Sequence, residues 1–132
     1  MGWTMKKISA KKISAAVLSL AAFPSVCAFG LQTGNDLLQQ GFYVERRIND
    51  GLSQNLPADR ELLGTLNGFV AGSVLMLAHT DPRVCMPKDG TIQQHKAVIR
   101  SYLESDAGLL GRHASVLVRD AMLRAFPCKD KP

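Results

Sequence analysis

The feature that most constrains this chain is a long uncharged run, Leu62 to Ala78, within a stretch that reads as one helix from Ala58 to His79. Three glycines lie in this run at intervals of four residues: Gly64, Gly68 and Gly72. At this spacing they fall on one side of a helix and form a shallow groove. Each glycine costs about 1 kcal/mol relative to alanine in a helix interior, so we expect another backbone segment to approach the groove closely. The pattern predicts the buried central helix of a small domain.

A transmembrane helix is the alternative for this stretch, because glycines at the same spacing also occur where membrane helices pack together. The apolar run is shorter than the ~20 residues that a bilayer requires. It also contains polar side chains and ends at His79. We therefore expect a soluble helix, without membrane association after export.

The N-terminal 28 residues have the composition of a secretory signal peptide. The basic residues come first, at Lys6, Lys7, Lys11 and Lys12. An apolar segment, Ile13 to Phe23, follows, and then small residues around Ala28. The sequence predicts export and cleavage near Ala28, with translation starting at Met1 or Met5. An uncleaved membrane anchor is the alternative.

Removal of residues 1–28 changes the charge balance of the chain. The full sequence has 16 basic and 11 acidic residues, for a net charge of +5. The signal contains four of the lysines and no acidic residue, which leaves 12 basic residues against 11 acidic ones. The basicity therefore belongs to the export signal, and we expect no nucleic-acid partner.

The remaining chain has the length of one domain and retains two cysteines, Cys85 and Cys128. An even number of cysteines in an exported protein favours a disulfide. A bond closing this loop would stabilise the fold by roughly 4 kcal/mol. Two free buried thiols are the less favoured alternative.

Three further helices flank the central one. The first has Asn35 or Asp36 as its predicted N-cap and is interrupted by Gly41. A third runs from Thr91 to about Ser105, and a fourth from Arg112 to Phe126. Thr91 and Gln94 fit a capping box. We expect six charged side chains of the first and third helices to face water: Glu45, Arg46, Arg47, Lys96, Arg100 and Glu104. No segment alternates with a period of two, so the sequence predicts an all-α domain of four, possibly five, helices over residues 34–128, with a frayed tail at 129–132.

No catalytic or metal-binding motif is found. His79, His95 and His113 are widely separated, and none has the spacing of a zinc motif. Zinc held by the two cysteines and a histidine is a weaker explanation of those cysteines than a disulfide. Ser73 lacks the flanking glycines of a nucleophile elbow. A Cys85–His95 nucleophile would need a free thiolate, which an oxidising compartment disfavours. We expect a protein that is not an enzyme and that needs no cofactor or metal.

Four short motifs occur in a characteristic order: NGFVAG from Asn67, VCMPKDGT from Val84, VIRSYLES from Val98 and LVRDAMLRAFPC from Leu117. In this order and spacing they resemble the Rap/Tai-type immunity proteins of type VI secretion. GNDLL, from Gly34 to Leu38, resembles the first helix of that family. The resemblance covers roughly residues 34 to 128.

The resemblance implies a small periplasmic helical protein, commonly a homodimer. Such a protein neutralises a toxic effector by plugging its active-site groove, and the known effectors are peptidoglycan amidases. It also implies that Cys85 and Cys128 pair. The alternative function is a periplasmic helper, for instance an acid-stress chaperone-like protein, without a dedicated toxin partner.

The sequence departs from the family at two positions where many members carry cysteines. By alignment these positions are Gly41 and Leu66. Their joint absence is consistent with the loss of one whole disulfide. The family implies no individual effector-binding residue, because its contact residues vary.

An inhibitor needs a rigid protrusion that fits a catalytic cleft. Two connections are candidates. The turn Asp81 to Gly90 would present Arg83, Met86 and Lys88. The connection Asp106 to Arg112 would present Leu109 and Leu110, with His113 beside it. Both remain hypotheses, since ordinary loops have the same composition.

Overall fold

The computed structural model describes residues 30–53 and 56–129, so the predicted signal peptide, Gln54, Asn55 and the last three residues of the predicted tail lie outside it. Within that range the chain forms four helices. Helix α1 (34–49) contains an α-helical start at Gly34–Asp36, a π-helical turn at Leu37–Phe42 and an α-helical end at Tyr43–Asn49. Helices α2 (Pro57–Thr80), α3 (Ile92–Ser105) and α4 (Ala114–Ala125) follow, with a 3₁₀ turn at Ala107–Leu109 between α3 and α4.

The all-α prediction is confirmed: the described residues contain two isolated β-bridges and no strand. The core lies between α2, α3 and α4 and is covered at one side by α1. Its fully buried large side chains are Leu37, Leu66, Val70, Ile99, Leu103, Leu117, Val118 and Met122. Their spacing follows the 3.6-residue period of amphipathic helices.

Helix α1 begins earlier than predicted, because Thr33 is its N-cap. The Asp36 backbone N–H donates to Thr33 Oγ1 at 3.2 Å, and the Thr33 N–H donates to the Asp36 carboxylate at 2.9 Å. Asp36 is thus the reciprocal partner in a capping box and not the cap. The hydrogen bonds from Thr33 lower the pKa of the Asp36 carboxyl.

Gly41 does not interrupt α1, contrary to the prediction. It lies in the π-helical turn and is buried against α2. A Cβ atom placed on Gly41 would lie 2.9 Å from Cδ1 of Leu66, which is closer than such contacts allow. Gly41 therefore permits the close approach of α1 to α2. Gly41 and Leu66, the two positions where the sequence departs from the family cysteines, are neighbours in the structure.

The prediction that α2 is a buried helix with a filled glycine groove is wrong. Gly64, Gly68 and Gly72 are exposed, and a Cβ on any of them would meet no described atom within 4 Å. Only Leu66, Val70 and Val74 are buried, at intervals of four residues on the opposite side. A helix that packs along one such row leaves the other side free. By length and composition α2 also meets the requirements of a membrane span, and 17% of its most apolar window is buried.

The N-terminus of α3 is as predicted: the Gln94 N–H donates to Thr91 Oγ1 at 3.3 Å and the Thr91 N–H donates to Gln94 at 2.9 Å. Helix α4 begins later than predicted, at Ala114. The reason is that the Arg112 carbonyl accepts from Gly34 N–H at 3.0 Å and the Ala114 N–H donates to the Gln32 carbonyl at 2.8 Å. These bonds tie the residues before α4 to the start of α1.

Candidate functional site

A covalently braced turn lies between α2 and α3, from Asp81 to Gly90. Cys85 and Cys128 form a disulfide with a Cα–Cα distance of 4.8 Å, as predicted. Two backbone hydrogen bonds flank it: the Cys85 N–H donates to the Phe126 carbonyl, and the Cys128 N–H donates to the Arg83 carbonyl, both at 2.9 Å. The end of α4 thus holds the turn at several points.

Three of the four charged residues of the braced turn, Arg83, Lys88 and Asp89, are exposed, and Asp81 is half-buried. Arg83 donates from Nε and Nη2 to the two carboxylate oxygens of Asp81, at 2.9 and 2.7 Å. Hydrogen bonding and the positive charge of Arg83 lower the pKa of the Asp81 carboxyl to about 2. The Arg83 side chain is still 66% exposed, and Lys88 is also exposed. The turn therefore presents two cationic side chains, one of them fixed in position by a bidentate ion pair.

Met86, the third predicted residue of this turn, is half-buried and packs against the core. It anchors the turn and leaves Arg83 and Lys88 as its exposed tips. A depression of about 380 Å³ adjoins the turn and is lined by Pro87, Asp89, Gly90, Gln94 and Phe126.

Beneath the turn lies His95, whose side chain is buried against the edge of the Phe126 ring at 6.1 Å between centroids. Its Nε2 atom has no hydrogen-bond partner among the described residues. Burial lowers the pKa of His95, because a protonated imidazole would lose hydration there. A Cβ on Gly90 would lie 2.9 Å from that Nε2, so the histidine ring occupies the space that only a glycine leaves open.

The second predicted connection, Asp106 to Arg112, has a different character. Leu109 and Leu110 are half-buried and pack against the core, and only His113 of the three predicted residues is exposed. Asp106 caps the 3₁₀ turn by accepting from Gly108 N–H at 2.8 Å. Because α3 and α4 are antiparallel neighbours, this connection and the braced turn lie at opposite ends of the helix pair. The structure does not bring the two sets of predicted residues into one site.

A buried polar cluster was missed by the sequence analysis. Lys96 is 2% exposed, although the sequence predicted that it faces water. Its Nζ donates to the carboxylate of Glu45, which is also buried, and to Asn67 Oδ1, the latter at 2.9 Å. The cluster joins α1, α2 and α3. The available signal was position: Lys96 lies three residues before Ile99 and four after Ile92, on the buried stripe of α3.

The described residues contain no group of three His, Cys, Asp or Glu side chains that could hold a metal ion. The disulfide occupies the thiol that a Cys85–His95 nucleophile would require. Ser73 is half-buried along α2, and His79 is exposed near its end. The most distinctive exposed feature is the braced turn, which is built for rigid presentation of side chains.

A comparison with known protein families identifies the family of this chain. Residues 33–128 match the family described as Rap1a immunity proteins. The chain belongs to the Rap1a immunity proteins. The matched range begins at the Thr33 cap, ends at Cys128 and includes all four helices. Comparisons with curated proteins and with solved structures found no significant match.

Membership of the Rap1a immunity proteins indicates an immunity role, in which the functional site is a surface that binds another protein. The disulfide and its flanking hydrogen bonds lie within the matched range, at its C-terminal limit.

Proposed function

We propose that this protein is a periplasmic immunity protein that binds a type VI secretion cell-wall amidase and blocks its active-site groove. The observation that carries the proposal is the family match over residues 33–128. The protein acts by binding, without enzymatic activity or cofactor, and assembles as a homodimer. The N-terminal residues 1–28 direct it to the periplasm, where its target cleaves peptidoglycan.

The geometry favours the braced turn as the inhibitory element over the connection before α4. Binding into a cleft is strongest when the inserted segment loses little conformational entropy. The turn meets this condition because the Cys85–Cys128 bond and two backbone hydrogen bonds fix it before any partner arrives. It also exposes Arg83 and Lys88, whereas the two leucines of the other connection pack against the core.

A protection assay in cells tests the immunity role. The gene neighbourhood is searched for an amidase-like protein, which is directed to the periplasm, where we expect it to lyse the cells. Co-expression of the full chain should restore growth, and co-expression of residues 29–132 alone, which lack the export signal, should not. Growth arrest despite abundant full-length chain would contradict the proposal.

A pair of matched variants tests the position of the inhibitory surface. Lys88→Glu reverses the charge at an exposed tip of the braced turn, and His113→Glu introduces a charge at the opposite end of the α3–α4 pair. We expect Lys88→Glu to weaken binding of the amidase about tenfold or more and His113→Glu to leave it unchanged. The reverse pattern would place the inhibitory surface at the connection before α4.

The same purified protein distinguishes the helper function. A dedicated inhibitor saturates at a fixed ratio with one enzyme, whereas a chaperone-like helper suppresses the aggregation of several unrelated unfolded proteins. We expect saturable binding to the amidase and no protection of unrelated clients at acidic pH.

A further inference from the structure

The outer face of α2 is apolar and has no partner among the described residues. It carries the three exposed glycines and, along the same side, Leu75 and Met76, which are 62% and 64% exposed. Between Leu62 and Ala78 it contains no charged residue. No contact among the described residues compensates the helix-propensity cost of the three glycines.

A second pair of exposed apolar side chains lies at the other end of α2. Leu52 and Leu56, just before the helix, are 66% and 55% exposed. Four of the five large apolar side chains that are exposed in the described residues thus lie on α2 or immediately before it, the fifth being Tyr43. They form two apolar ends that are separated by a glycine-lined centre.

We propose that this outer face is the docking surface for a second copy of the chain, which packs against it antiparallel across a two-fold axis level with residue 66. In this register Leu56 of each copy lies opposite Met76 of the other. Gly64 lies opposite Gly68, so the two helices cross where neither carries a side chain. The bulky ends and the bare centre are then complementary to themselves, as a two-fold interface requires.

The charges of α2 agree with a second copy as the occupant. Asp59, Arg60 and Glu61 precede the uncharged run. In the antiparallel register they meet the segment Ala71 to Ser73, which carries no charge, so no like charges oppose each other. Antiparallel helix dipoles also favour this arrangement. Between Leu62 and Ala78 the face offers no charged group for a charged partner to recognise.

The dimensions of the helix indicate how strong the contact should be. A 24-residue helix is about 36 Å long, and one strip along it gives an interface at the small end of the range for stable complexes. We therefore expect a dimer that dissociates at low protein concentration. The inference rests on the proposed function in that it specifies the surface of the homodimer, and it is independent of the contact between the braced turn and an amidase.

Sedimentation velocity of the mature chain over a wide concentration range tests the surface. Gly68→Leu places a bulky side chain at the crossing point, where the monomer has open space, and should weaken dimerisation about tenfold or more. Gly111→Leu is the matched control, because Gly111 is also exposed and would meet no described atom. We expect that control to dimerise as the unmodified chain does.

Disulfide trapping tests the register. Under mild oxidation, a mixture of Gly64→Cys and Gly68→Cys chains should form a covalent heterodimer, since the two positions face each other across the axis. A mixture of Gly64→Cys and Gly72→Cys should not. Equal trapping in both mixtures would contradict the antiparallel register.

Three results would overturn the inference. They are a monomer at all concentrations, unchanged dimerisation of Gly68→Leu, and preferential binding of the unmodified chain to phosphatidylcholine vesicles, which would identify a membrane as the occupant. The cell-protection assay separates this inference from the proposed function. If Gly68→Leu still protects cells while dimerisation is unaffected, the docking surface is wrong and the immunity role stands.

Discussion

The two faces of α2 are both uncharged between Leu62 and Ala78 but have different environments. On the inner face, Leu66, Val70 and Val74 are buried, and Leu66 occupies the space left by Gly41 of α1. On the outer face, Gly64, Gly68 and Gly72 are open, and Leu75 is exposed. The inner face forms the fold, and in the proposed assembly the outer face binds a second copy.

The two faces show that a glycine in a helix does not by itself reveal whether another segment of the same chain packs against it. Gly41, at one position, is required because a side chain from α2 lies where its Cβ would be. The three glycines of α2 form a longer and more regular pattern, yet nothing within the described monomer fills it. In the proposed assembly the regular pattern serves an intermolecular contact, whereas Gly41 serves an intramolecular one.

The largest change in the free energy of unfolding is expected at the buried polar cluster, where Asn67 of α2 meets Lys96 of α3 and Glu45 of α1. Lys96→Met leaves the Glu45 carboxylate buried without its ion-pair partner, and we expect the free energy of unfolding to fall by about 3–5 kcal/mol. Arg100→Met, an exposed change one turn further along α3, should alter it by less than about 0.5 kcal/mol. Urea denaturation measures both. Similar values for the two variants would show that the Lys96 cluster contributes little.

Substitution of an apolar residue on the inner face of α2 should lower the free energy of unfolding slightly less than Lys96→Met does. Leu66→Ala removes a fully buried side chain that contacts α1, and we expect a loss of about 2–5 kcal/mol. Leu75→Ala on the outer face should leave the stability of the monomer nearly unchanged. Both are measured by urea denaturation at a concentration where the protein is monomeric. A large loss for Leu75→Ala there would mean that the outer face is packed within the monomer.

The glycines themselves should give effects of opposite sign. Gly68→Ala should stabilise the monomer by up to about 1 kcal/mol, because the helix gains propensity without a clash. Gly41→Ala should destabilise it by about 1 kcal/mol or more, since the new Cβ forces Leu66 to move. Thermal unfolding at low concentration compares the two. Stabilisation by both variants would remove the contrast between the two faces.

The fold class could be predicted from the sequence because helical periodicity is a local signal. The disulfide could be predicted because the chain expected after cleavage near Ala28 contains two cysteines, which allow one pairing. The N-terminus of α3 was also predictable, since the Thr91–Gln94 capping box is a short local motif. The outward direction of Gly64, Gly68 and Gly72 was not predictable, because spacing shows that they share a side but not which side is buried.

The burial of Lys96 also could not be predicted from the sequence, for a different reason. Its position on the stripe of Ile92 and Ile99 was visible, but a lysine on a core face is buried only when a carboxylate lies opposite it. That carboxylate is Glu45, on another helix. Likewise, the sequence identified Leu109 and Leu110 as possible exposed tips, and only the packing of their connection against the core shows otherwise.

The smallest effect on stability is expected from a change of pH, acting through His95 beneath the braced turn. Burial lowers the pKa of His95 in the folded protein below its ordinary value of 6.5, so the unfolded chain binds the proton more readily. Stability is therefore greatest above pH 6.5 and falls as the pH decreases through that value. His95→Leu should flatten this dependence between about pH 7.5 and 5.5, whereas His113→Gln, at an exposed site, should retain it. An unchanged slope in His95→Leu would assign the dependence to other groups.

The most direct test of the account is light scattering coupled to size-exclusion chromatography, on residues 29–132 mixed with the candidate amidase of the cell-protection assay. Peptidoglycan cleavage is measured in the same fractions. We predict a stable complex that contains equal numbers of the two chains and has lost cleavage activity. Separate elution of the two proteins with cleavage intact would contradict the immunity function and leave the fold as described.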